Sequence, residues 1–134
     1  MARGLRNNNP GNIRKNGDVF QGEVVPSSDP SFKQFRTMAY GYRAMFVSLN
    51  TYRKRGLNTI ETIIGAWAPP VENNTAAYIA SVVKWSGVPK DKVLTEYDGK
   101  DYIAIVAAMS QVENGVSANM REVEAGFELQ NSIK

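Results

Sequence analysis

The sequence predicts a mainly α fold: an α+β domain of about five helices with one small β-hairpin near its N-terminus. Three observations predict it. Apolar residues recur at helical spacing in five stretches after residue 38. Asn, Gly or Pro punctuate those stretches where helices start and stop. One earlier segment, "VFQGEVVPSSDPSFKQFRT", instead alternates and turns. A chain of 134 residues suits a single domain, here 1–134. Such a domain buries roughly two-thirds of the surface its unfolded chain exposes.

The elements follow in order. Residues 1–18 read as loop, and within them "RNNNPGNIR" packs four asparagines, a proline and a glycine into nine positions. The hairpin follows, its apolar positions Val19, Phe32 and Phe35 separated by a turn near "PSSDP". From Ala39 the period changes, and Tyr42, Met45, Phe46, Leu49 and Tyr52 form one helical stripe that stops near Gly56. "NTIETIIGAWAPP" begins with Asn58 as cap and Glu61 three residues on, and its double proline ends it. "NNTAAYIASVVKWSGVP" starts at Asn73 or Asn74 and stops at Gly87 and Pro89. "KDYIAIVAAMSQVENG" is the most apolar helix and stops at Gly115. "SANMREVEAGFELQNS" is a last, amphipathic helix.

Composition excludes several kinds of chemistry. There is no cysteine, hence no disulfide and no thiolate metal site. There is no histidine, hence no Ser–His or Cys–His catalysis and no imidazole metal ligand. No metal or cofactor is expected, and acid–base work falls to carboxylates, tyrosine or lysine. The net charge of +3 favours an anionic partner only weakly. The run "YRKRG" reads as a solvated helix end that the dipole favours, so no nucleic-acid partner is expected. The longest apolar run, "YIAIVAAM", is too short to span a bilayer. The start "MARGLRNNNP" has no apolar core segment of a signal peptide, so synthesis in the cytoplasm is expected.

One carboxylate stands out. On the fourth long helix, Tyr102, Ile105, Val106 and Met109 mark a buried face, and the next position on it is Glu113. An acid there lies on the apolar side of the helix at its negative end. Desolvation and the dipole both favour the neutral carboxyl, the form a general acid requires. The competing reading is a helix-ending Glu that reaches water. Glu72, in "PPVENNT", precedes a helix, where it either favours the N-terminus or touches a ligand.

"IAIVAAMSQVENGVSA" resembles the catalytic helix of lysozyme-like peptidoglycan-cleaving enzymes, the lytic transglycosylases and bacterial glucosaminidases, which ends in Glu, a small polar residue and often Gly. "NNNPGNIR" resembles the loop that follows the catalytic Glu in the glucosaminidase branch. "VFQGEVVPSSDPSFKQFRTMAYGYRAM" is similar to the hairpin and helix after that loop, and "TIETIIGAWAPPVENNTAAYIASVV" to the helices downstream. The same segments resemble a group of phage-encoded proteins regarded as virion structural proteins or lysins. The likeness covers most of the chain, but its order differs. In those enzymes the Glu helix precedes the Asn loop, whereas here the loop comes first. Circular permutation reconciles the two, since domain termini often lie close together. The G-L-M-Q segment usual in transglycosylases is absent.

The resemblance implies a lysozyme-like fold and a glycosidase that cuts β-1,4 bonds of the peptidoglycan glycan strand. Glu113 is then the general acid. Asn8, Asn9, Asn12, Tyr78 and Glu72 are the expected substrate contacts. An Asn amide both donates and accepts, as hydroxyls and N-acetyl groups require. For each Asn, the alternative is a turn or cap. A hydrolase needs a second carboxylate, and Asp18 and Glu23 are the candidates; a lytic transglycosylase needs only one. Phe35, Tyr40 and Trp67 either line the cleft or pack in the core. The implied protein is a monomer that acts at the bacterial wall, released by lysis or carried in a virion. The alternative function is a non-enzymatic virion or wall-binding protein, with phage virion components as partners.

Overall fold

A computed structural model describes residues 1–71 and 73–131. Among the described residues it has six α-helices and one two-stranded antiparallel sheet. The order is α1 (Arg3–Arg6), β1 (Glu23–Val24), β2 (Gln34–Phe35), α2 (Met38–Lys54), α3 (Ile60–Trp67), α4 (Thr75–Ser86), α5 (Gly99–Asn114) and α6 (Met120–Asn131). The mainly helical α+β class is the one the periodicity predicts. No described helix is long and apolar enough to cross a membrane.

The predicted stripes form the core. On α2, Tyr42, Met45, Phe46 and Leu49 are buried; on α5, Tyr102, Ile105, Val106 and Met109 are. They close on Ile60, Ile63 and Ile64 of α3, Val82 of α4 and Val123 of α6 in one cluster. Here α2 packs mainly on α6, and α4 on α5. A Cβ on Gly126 would lie 2.6 Å from Tyr42 Cβ and 2.8 Å from Ala39 O, so the α2–α6 approach depends on that glycine. Gly115 closes α5 as the stop signal predicts, in the left-handed conformation with its N–H on Gln111 O.

Two local expectations need correction. Residues 3–6, expected as loop, form the single turn α1, too short to display a period. Its Arg3, Gly4 and Leu5 carbonyls accept from the N–H groups of Asn7, Asn9 and Asn8. The cap of α3 is Thr59, not Asn58. Thr59 Oγ1 accepts from Thr62 N, and Thr62 Oγ1 from Thr59 N, each at 3.1 Å. A Thr at the third helical position closes the capping box in place of a Glu. Glu61 instead lies on the surface, 3.8 Å from Lys90. The α4 cap is Asn74, whose Oδ1 accepts from Ala77 N.

The hairpin pairs Glu23 with Phe35 and Val24 with Gln34. Asp29 shapes its turn by accepting from Ser31 N at 2.8 Å and Phe32 N at 3.0 Å. The Asn-rich loop runs alongside: Phe35 N donates to Asn7 O, Lys33 N to Ile13 O and Lys15 N to Ser31 O. The same loop lies flat on α2 at Gly41, where a side chain would collide with Asn8 O and Pro10.

Candidate functional site

The loop meets the C-terminal end of α5 through two asparagines. Asn114 Nδ2 donates to Pro10 O and to Ser110 O, both at 2.9 Å. Ser110 Oγ shares a 2.8 Å hydrogen bond with Tyr42 OH, which ties the junction to α2. Asn12 Nδ2 donates to Glu113 Oε1 at 3.0 Å. Asn12 has φ +49°, a left-handed conformation that Asn tolerates better than most residues. The Asn-rich loop is therefore packed against the C-terminal end of the Glu113 helix, as the permuted order requires.

The other oxygen of Glu113 belongs to α4. Tyr78, 6% exposed, donates its hydroxyl to Glu113 Oε2 at 2.9 Å. Burial first, and then the Glu113 charge and hydrogen bond, push the Tyr78 phenol far above its ordinary range. The phenol therefore keeps its proton and donates a hydrogen bond to this carboxyl. No cation pairs with Glu113 among the described residues. A half-buried acid is thus held by two neutral donors from different parts of the chain.

Glu113 opens onto a cleft of about 800 Å³. Its walls include the α2 face at Val47 and Thr51, Trp67 at the end of α3, and the lip at Asp18 and Phe20. The lip is pinned by Lys33, whose fully buried ammonium donates to Asp18 O at 2.6 Å and to both Glu23 oxygens at 3.0 and 3.1 Å. A buried cation persists only when paired in this way. The pairing occupies Glu23, whose Oε1 also accepts from Phe20 N. Of the two candidate second carboxylates, Asp18 therefore lines the cleft and Glu23 serves its wall. On the far side, Glu113 and Tyr78 share a recess of about 360 Å³ with Asn73.

The chain is 42% identical over 132 residues to Protein P5 of Pseudoalteromonas phage PM2, a match spanning 95% of this chain and 81% of that protein. The chain belongs to the Protein P5 family. No family model matches it. The relative is a bacteriophage protein, which supplies the phage context the sequence implies.

In this Protein P5 relative, Glu113, Asn12 and Tyr78 come together. Asn9 is fully buried, and its amide is spent on Ile13 N, Ile13 O and Lys33 O. Asn8 Nδ2 donates to Phe35 O and Arg36 O and clasps the loop to β2. Asn7 donates to Asp29. Glu72 lies outside the described residues. Phe35 is in the core at 1% exposure, Tyr40 packs over Gly22, and Trp67 faces the cleft. Ser110 and Tyr42 join the site without a motif to mark them, and Asn114 is marked in the sequence only as the small polar residue after the Glu. Their signal was a serine and an asparagine four apart on the most apolar helix, since buried polar groups there must find partners. Gly4 completes the junction: a Cβ on it would lie 2.5 Å from Asn114 Oδ1 and 2.9 Å from Asn12 Oδ1.

Proposed function

We propose that the protein cleaves β-1,4 glycosidic bonds of the peptidoglycan glycan strand, with Glu113 as general acid. The carrying observation is the carboxyl at the cleft wall, half-buried, free of any described cation, and oriented through both oxygens by Asn12 and Tyr78. The likeness to lysozyme-like peptidoglycan-cleaving enzymes, read in permuted order, supports it. Glu113 gives its proton to the bridging oxygen as the bond to the anomeric carbon breaks. The resulting carboxylate then takes a proton from the group that attacks that carbon. In a transglycosylase this is the sugar's own 6-hydroxyl; in a hydrolase it is water. Only Asp18 lines the cleft as a further acid among the described residues, and it is exposed. This favours the version in which one carboxyl serves both steps.

Glu113→Gln tests the proposal. Loss of a general acid lowers wall lysis by at least about 100-fold. Folding is retained, because the Tyr78 hydroxyl can accept as well as donate and so fits a glutamine amide. Mass spectrometry of digested walls separates the routes: 1,6-anhydro ends mark the transglycosylase, and ends carrying oxygen from labelled water mark the hydrolase. If Glu113→Gln keeps wild-type lysis, the assignment is wrong. The sequence resemblance carries a second reading, a non-enzymatic virion structural or cell-wall-binding protein with a lysozyme-like fold, and the phage relative adds only the phage context. Failure of the wild type to clear walls of any host would favour that reading.

A further inference from the structure

A second cavity, of about 480 Å³, lies beyond the cleft along α2. The two share Arg43 and Val47, so a ligand branching from one reaches the other along a single helix face. The lining of this cavity is unusual in two ways. First, two buried polar atoms on its wall have no partner in the described structure: Arg43 Nε and the Tyr102 hydroxyl. Tyr102 is only 8% exposed. Orphaned buried donors destabilise a fold unless a ligand satisfies them. Second, the charged groups on the wall are Arg43, Arg53 and Lys54 against one acid, Glu96. The rest of the floor includes Phe46 and Phe127, packed edge to face at 5.2 Å. Tyr102, Arg53, Lys54 and Glu96 do not line the cleft that holds Glu113.

We propose that this cavity binds the acidic peptide branch of the glycan strand, its carboxylates meeting Arg43, Arg53 and the Tyr102 hydroxyl. The proposal rests on the glycosidase reading for its substrate, because a peptide hangs from every second sugar of peptidoglycan and carries several carboxylates. Glu96 at the same wall suits the amino group that such a peptide also bears. The strand would then occupy the cleft while its branch turns past Arg43.

The test uses Tyr102→Phe and Arg53→Gln, both outside the cleft that holds Glu113. Two substrates are compared: walls with intact peptides and the same glycan stripped of peptide by an amidase. Each variant should raise KM for the intact strand about tenfold, the worth of one hydrogen bond to a charged group, with kcat unchanged. KM for stripped glycan should not move. The Tm of Tyr102→Phe should hold or rise, since an unsatisfied buried hydroxyl has been removed. An equal KM change on both substrates overturns the proposal and leaves the glycosidase reading standing. So does a fall in Tm with both KM values unchanged, which makes the hydroxyl purely structural. If the wild type cleaves neither polymer, the glycosidase reading has failed, and the cavity is judged by calorimetry with the free tripeptide L-alanyl-D-glutamyl-meso-diaminopimelate. Binding to the wild type that the combined Tyr102→Phe and Arg53→Gln variant loses supports the site; no binding to the wild type, or binding that this variant keeps, overturns it.

Discussion

Tyr78 is the residue on which the candidate site turns. Its phenol is buried, its pKa is driven up, and its only strong partner among the described residues is Glu113 at 2.9 Å; the contact to Met109 O, at 3.5 Å, is marginal. Tyr78→Phe keeps the ring in the core and removes the donor, leaving Glu113 Oε2 without one. A hydrogen bond to a charged group is worth about 1.5–3 kcal/mol. Wall-lysis kcat should therefore fall about 10- to 100-fold, with little change in KM. The Glu113→Gln background should absorb most of that loss, because the two groups act as one unit. Kinetics on the two single variants and the double variant check this. Additive losses would mean that Tyr78 does not act through Glu113.

At the scale of elements, the hairpin and the short α1 are joined by Asp29. Arg3 binds it through Nε at 2.7 Å and Nη2 at 2.8 Å, and Asn7 adds a third donor. The Arg3 guanidinium first, and then the Ser31, Phe32 and Asn7 donors, hold the Asp29 carboxyl far below the usual carboxylate range. A depressed folded-state pKa contributes stability that is present above the unfolded value, about 4. It is lost as pH falls through the folded value. The Tm advantage of wild type over Asp29→Asn should therefore be constant near neutrality and shrink only below about pH 4. Thermal melts of the two proteins across the acid range check it, and an advantage that persists at the lowest pH would show that Asp29 acts through turn geometry rather than charge. The same joint positions the Asn-rich loop, so Asp29→Asn should also weaken lysis at neutral pH.

For the whole molecule, the core places four tyrosines where ionisation is disfavoured. Burial is the leading cause that raises Tyr42, Tyr52, Tyr78 and Tyr102 above their ordinary value of 10. Below that pH both folded and unfolded chains keep these protons, and stability is unaffected. Above it the unfolded chain releases protons that the folded chain retains, so stability falls as pH rises. Melts followed from about pH 8 to 11 should show a steep loss beginning near 10. Tyrosinate absorbance of the four should appear together with unfolding. Gradual titration of all tyrosines in the folded protein would refute this account.

The helices and the face each one buries are legible in the sequence. Tyr42 to Leu49 and Tyr102 to Met109 carry that information locally, because amphipathic spacing and the stops at Gly87 and Gly115 act within a few turns. The sequence also marks Glu113, since an acid on an apolar stripe is visible from neighbours in the chain. One-turn features escaped or slipped by a residue, as with α1 and the Thr59 cap, because too few positions carry a period. Which groups meet Glu113 depends on packing between distant parts of the chain. Asn12 lies 101 residues away in the chain and Tyr78 lies 35 away. Of the Asn cluster, one member reaches the carboxyl while Asn7, Asn8 and Asn9 are spent on the fold, although all four look alike in sequence. The division follows from range. Backbone hydrogen bonding and hydrophobic period are set by near neighbours, whereas a side-chain pair across the molecule exists only after the core has fixed where each helix ends.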